Sequence, residues 1–134
     1  MPFVWDDSFK LDIEVIDRQH KGLVDLVAGL FEAMKAGKAG EIIESSLEGL
    51  ASYTRIHFKT EEYYFDEFHY YDSEGHKKEH ADFKARIAEF RKSLAQGSDT
   101  LTVEMLNYLS SWLTNHIKGT DKRYVSYFHA HGLR

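Results

Sequence analysis

Residues 75–90, GHKKEHADFKARIAEF, open with two histidines four positions apart, His76 and His80. An α-helix puts positions i and i+4 on one face, and imidazole nitrogens so placed suit Zn, Cu, Fe or Ni. Phe83, Ile87, Phe90 and Leu94 continue the same face at helical steps, so the imidazoles begin a core stripe. A buried imidazole needs a hydrogen-bond acceptor or a cation. Three more apolar stripes carry histidine. His20 heads Leu23, Val27, Leu30 and Met34; His57 and Glu61 follow Ile43, Leu47, Leu50 and Thr54, with Tyr64 beyond; His116 follows Leu106, Leu109 and Leu113.

The four stripes read as four helices joined by short links, an all-α, antiparallel up-down-up-down bundle. Residues 1 to about 16 form an N-terminal arm with Phe3, Trp5, Phe9, Ile13 and Ile16 available for packing. The first helix is expected from Asp17 to the glycines of KAGKAGE, and the second from about Gly40 to HYYDSEG, where Asp72, Ser73 and Gly75 offer turn and cap chemistry. The third ends at AQGSD. Thr102 is a candidate N-cap for the fourth, and Gly119 and Thr120 are expected to end it before a short aromatic tail. Alternating direction then brings His20, His57, His76, His80 and His116 to one end of the bundle. Five imidazoles with a carboxylate exceed one tetrahedral zinc site, so two ions are the natural count. A carboxylate has two oxygens and can bridge them. Glu61 is one candidate; Asp121, five residues after His116, is the other, turned back over the site by a loop.

The totals limit the alternatives. The chain has 134 residues, 43% apolar and 14% aromatic, the size of one domain with a real core. Its formal net charge is −5 with no basic block, which argues against nucleic acid or an anionic membrane surface as partner. With no cysteine there are no disulfides, thiolate nucleophiles or iron–sulfur clusters. MPFVWDDSFKLDIEV lacks the basic start and apolar run of a signal peptide, and no stretch reaches the roughly 18 to 20 apolar residues of a membrane span. The expected setting is the cytoplasm.

HFKTEE at residues 57–62, HKKEH at 76–80 and HIKGTD at 116–121 resemble the HFxxEE, HxxxH and HxxxxD motifs of the hemerythrin family. IDRQHKGLV at 16–24 resembles its first-helix ligand segment, and Trp5 and WLxxH at 112–116 look like the bacterial branch, the bacteriohemerythrins. The resemblance covers nearly the whole chain, read as one hemerythrin-like domain over residues 1–134. It implies a non-haem di-iron centre that binds O2 reversibly for storage, delivery or sensing, and not an enzyme. His76, His80 and His116 would hold one iron and His20 and His57 the other. Glu61 and Asp121 would bridge them beside an oxygen from water. The open position on the second iron would take O2. Leu23, Phe58, Trp112, Leu113 and Ile117 match pocket positions of the family. The other readings are a di-iron oxidase or peroxidase, a nitric oxide-handling protein, or a metal-stapled structural module.

The chain departs from many members at Tyr63 to Phe65 and in HYYD at 69–72, away from the ligand positions. His69, His129 and His131 read as surface residues. Glu62 points about 100° away from Glu61 on an ideal helix and is expected to tolerate Ala.

Overall fold

The computed structural model describes residues 3–96 and 101–134, apart from the side chains of residues 39, 101 and 102. Four long helices carry the architecture: α1 (Glu14–Lys35), α2 (Ala39–Phe68), α3 (Ser73–Ala95) and α4 (Leu101–Asn115). α1 packs on α2 and α4, and α3 on α2 and α4. Every expected stripe faces inward: Leu23, Val27 and Leu30 from α1, Ile43, Leu47 and Leu50 from α2, Phe83, Ile87 and Phe90 from α3, and Leu106, Leu109 and Leu113 from α4 form one buried cluster. Among the described residues no helix is long and apolar enough to cross a membrane.

The links between helices are closed by backbone geometry. After α1, Gly37 adopts φ +72°, with its N–H on Met34 O at 3.1 Å and Lys38 N–H on Ala33 O at 2.7 Å. This is the Schellman closure, and a residue without Cβ adopts its left-handed turn without strain. After α2 the same closure falls on His69 at φ +52°, with Tyr70 N–H on Phe65 O at 2.9 Å. Here a non-glycine residue takes the left-handed position, and Phe65 stacks on Tyr70 at 5.1 Å across it. The capping role expected of Asp72 is not made: it stands at the N-cap of α3 without a side-chain capping bond and lies 3.5 Å from Arg123 instead. Gly75 sits in the first turn of α3, where a Cβ would meet Asp72 Oδ1 at 2.8 Å.

Helix boundaries differ from the sequence expectation at two other places. α1 begins at Glu14 rather than Asp17, because the Asp17 carboxylate accepts from the N–H groups of Leu11 and Asp12 at 2.8 and 3.0 Å and ties the arm to the first turn. α4 begins at Leu101, so Thr102 lies within the helix; the residues just before it, including most of AQGSD, are outside the described residues.

The largest difference is at the end of α4. Gly119 and Thr120 do not break the helix. The chain runs through a π-helical turn, His116–Thr120, then a 3-10 turn, Asp121–Tyr124, into α5, Val125–Ala130. Glycine has lower helix propensity than alanine but forms helix readily when packing favours it, and Gly119 keeps a negative φ. The aromatic tail is thus a helical extension. With the arm it forms a second buried cluster of Leu11, Ile13, Ile16, Phe65, Tyr70, Tyr124 and Phe128. His129 Nε2 lies 2.9 Å from Asp12 O and joins the extension to the arm, while Lys118 Nζ sits 4.4 Å above the Phe9 ring.

Candidate metal centre

His20 lies in the second turn of α1, His57 and Glu61 late in α2, His76 and His80 in the first two turns of α3, and His116 at the start of the π turn. Antiparallel packing brings all five imidazoles together. Asp121 joins them by a route the sequence reading did not foresee. In the π turn its N–H bonds back to His116 O, five residues earlier. An α-helix would separate positions i and i+5 by about 140°; the wider turn stacks them. Each of the seven side chains is 3% exposed or less.

The donors form two sets. Glu61, His76, His80, His116 and Asp121 make one and His20, His57, Glu61 and Asp121 the other, with the donor atoms of each set within 4.8 Å of one another. Both carboxylates belong to both sets. His20 Nε2 lies 2.9 Å from Asp121 Oδ2 and His76 Nε2 2.7 Å from Asp121 Oδ1. His57 Nε2 and His80 Nε2 lie 3.1 and 3.2 Å from Glu61 Oε1, and His116 Nε2 3.0 Å from Asp121 Oδ1. Despite these separations, all five Nε2 atoms, Glu61 Oε1 and both Asp121 oxygens are buried without a hydrogen-bond partner. Buried polar atoms are ordinarily paired. So many unpaired lone pairs converging on shared positions fit cations, and a nitrogen-rich donor set bridged by two carboxylates suits a pair of first-row transition ions such as iron.

Electrostatics agree. Burial alone would raise the pKa of Glu61 and of Asp121, but the surrounding histidines outweigh it and hold both carboxyls well below their usual range. The two anions are therefore kept charged in the interior. His20 is pulled down by burial, beyond what Asp121 restores. At His116 burial again opposes the charged form, yet Asp121, the bond to Glu79 and the charge of Glu61 push it up to about 10. Metal uptake must displace such a proton.

Several supporting residues were not legible as such in the sequence. Gln19 Oε1 accepts from His57 Nδ1 at 2.7 Å, and its amide donates to Thr60 Oγ1 at 3.1 Å. Glu62 Oε2 accepts from His80 Nδ1 at 2.8 Å, a contact that its expected tolerance of Ala did not include. It points away from Glu61, but toward the back of a histidine on the neighbouring helix. Glu79 Oε1 accepts from His116 Nδ1 at 2.9 Å. Carboxylate and amide oxygens can only accept, so each of these rings holds a proton on Nδ1 and turns Nε2 toward the shared position a cation would take. Tyr124 donates its hydroxyl to Glu61 Oε2 at 2.6 Å; burial holds this phenol protonated, its pKa well above the ordinary value.

Of the expected pocket residues, Leu23, Phe58, Leu113 and Ile117 are buried in the main cluster and Trp112 packs against it, half-buried. Phe58 stacks on His80 at 3.8 Å and Trp112 on His116 at 4.3 Å, so these two rings lie against the three-histidine set. His69 and His131 are exposed and His129 is half-buried, all outside the two donor sets.

Comparison with known proteins gives a consistent picture. The family described as "Hemerythrin HHE cation binding domain" matches residues 11–128. A bacteriohemerythrin of Pseudomonas aeruginosa is 38% identical over 91% of this chain and 78% of its own length. Myohemerythrin-1 of Phascolopsis gouldii is 35% identical over 92% of each chain. The crystal structure of a wild-type hemerythrin superposes with a TM-score of 0.82 at 29% identity, covering 92% of this chain and 95% of the other.

Proposed function

This chain belongs to the hemerythrin family, and from that premise we propose that it binds O2 reversibly at a non-haem di-iron centre, for oxygen storage, delivery or sensing. The observation that carries the reading is the pair of donor sets sharing Glu61 and Asp121, with five imidazole nitrogens buried and unpaired. In this reading residues 1–134 act as one hemerythrin-like domain. His76, His80 and His116 would hold one iron and His20 and His57 the other, with Glu61 and Asp121 available to both. When bound, a pair of iron(II) ions would supply the electrons on which reversible O2 binding draws. The same proposal takes O2 as the ligand, places the protein in the cytoplasm and assigns it no nucleic-acid or membrane partner.

The protein's own groups favour binding over further reaction. The donor set has five imidazoles, which would bind metal in their neutral form, to two carboxylates, and few anions mean less stabilisation of high oxidation states. The site lies between two apolar clusters, which exclude water and slow proton entry. Phe58 and Trp112 lie directly against His80 and His116, and Leu23, Leu113 and Ile117, buried in the same apolar cluster, complete the wall on the bundle side in this reading. Tyr124 holds its proton against Glu61 and keeps that carboxylate in place.

The test is the visible spectrum of iron-loaded protein in air, after degassing and after re-aeration. A band that appears, vanishes and returns supports the proposal. A band that decays with turnover favours an oxidase or peroxidase, and no band from a fully iron-loaded protein defeats O2 binding.

A further inference from the structure

The residues behind the histidines are not alike in charge. In the three-histidine set, His80 and His116 each give Nδ1–H to a carboxylate, Glu62 at 2.8 Å and Glu79 at 2.9 Å. Glu79 is held in turn by Thr120 Oγ1 at 2.9 and 3.1 Å and lies 4.0 Å from Arg123. In the two-histidine set, His57 gives Nδ1–H to the neutral amide oxygen of Gln19 at 2.7 Å, and His20 Nδ1, like His76 Nδ1 in the other set, has no partner, so the sets differ at the carboxylates behind His80 and His116. A charge-assisted bond is stronger than a neutral one and orients the ring more firmly. An anion behind an imidazole also raises the basicity of the nitrogen that faces the metal. Stacking by Phe58 and Trp112 further restrains the same two rings, His80 and His116. The first cation to enter would neutralise part of the charge on Glu61 and Asp121, which both sets share, so the second meets a weaker field.

Resting on the reading that the cluster holds two metal ions, we propose that Glu62 and Glu79 are positioning residues that make the three-histidine set the tighter of two unequal sites. Metal fills the His76, His80 and His116 set first and leaves it last; the His20 and His57 set fills second and empties first.

Cobalt(II) is a suitable probe because its visible bands and binding heat can both be followed without O2. The full-length apoprotein is titrated anaerobically, as wild type, as the Glu62→Gln/Glu79→Gln double variant and as Gln19→Leu. Glutamine keeps an oxygen for Nδ1–H and removes only the charge. The two glutamate side chains are 29% and 38% exposed, so the fold tolerates the change; melting of each apoprotein checks this. Wild type is expected to bind two cobalt ions in two resolved steps. The double variant should weaken the first step by about 10- to 100-fold, the range known for partners of metal-bound histidine, and so draw the steps together. Gln19→Leu should weaken only the second and spread them apart. Two equal steps in wild type, or a double variant that weakens both steps alike, would overturn the proposal while leaving the metal centre intact. No cobalt uptake by folded apoprotein would defeat the metal-centre reading itself and this inference with it.

Discussion

Glu61 has two oxygens with different surroundings: Oε2 accepts from Tyr124, while Oε1 faces His57 and His80 without a hydrogen bond. Replacing it with Ala removes a donor from both sets and strands a buried phenol, which alone costs about 1–3 kcal/mol. The expected outcome is one bound metal ion or none, measured by elemental analysis; two ions in Glu61→Ala would show that it bridges nothing. Leu113 tests the wall of the site. It is 1% exposed, and its truncation to Ala costs about 2–5 kcal/mol as core packing alone. If it also shields bound O2, Leu113→Ala should shorten the lifetime of the oxygenated form, whereas Leu47→Ala, buried in the same cluster but several turns away, should lose stability only. Equal decay in wild type and Leu113→Ala would leave Leu113 as packing. The five histidines and Glu61 stand out in the sequence because their type is unusual on an apolar stripe, whereas Asp121 is a candidate only through its neighbours. Gln19, Glu62 and Glu79 do not stand out, because polar residues facing outward from a helix look the same whether they meet water or the back of a histidine on the next helix.

The elements add what spacing alone hid. His116 and Asp121 stand five apart, a poor fit to α-helical periodicity, and the expectation resolved this with a loop. The structure resolves it with a π turn. Such turns leave little trace in composition, and Gly119 and Thr120 pointed the other way. Gly22 shows the same limit. A Cβ there would lie 2.1 Å from the Tyr53 hydroxyl and 2.5 Å from its ring, so α1 and α2 approach closely with that ring laid across the glycine. Alanine is the better helix former by about 1 kcal/mol, yet Gly22→Ala should lower stability by about 1–3 kcal/mol, the usual range for overpacking. Chemical denaturation measures it; a stabilised variant would mean Tyr53 swings away freely. Beyond the π turn, Phe128 is fully buried and stacks on Tyr124 at 4.3 Å. Phe128→Ala should cost about 3–5 kcal/mol, far more than a residue in a loose tail would, and thermal melting decides between the two.

Across the described residues the donor cluster lies between two apolar clusters. The four-helix bundle and the core stripes were readable from periodicity. The second cluster was not, since it joins residues 11–16 to residues 124–128 through contacts far apart in the chain. If the cluster holds two ions as proposed, the fold depends on them. Without them, buried carboxylates and imidazoles lose their compensation; with them, binding free energy adds to folding free energy. Chelation should therefore leave a helical protein of lower melting temperature, and metal at about 1,000 times its dissociation constant should return about 4 kcal/mol. A melting temperature indifferent to chelator would place the cluster outside the energetics of the fold. Iron content measures directly whether the seven residues hold a pair of ions. Protein expressed in iron-replete medium, purified and analysed for metals is predicted to hold two irons per chain; one zinc and no iron would contradict the account.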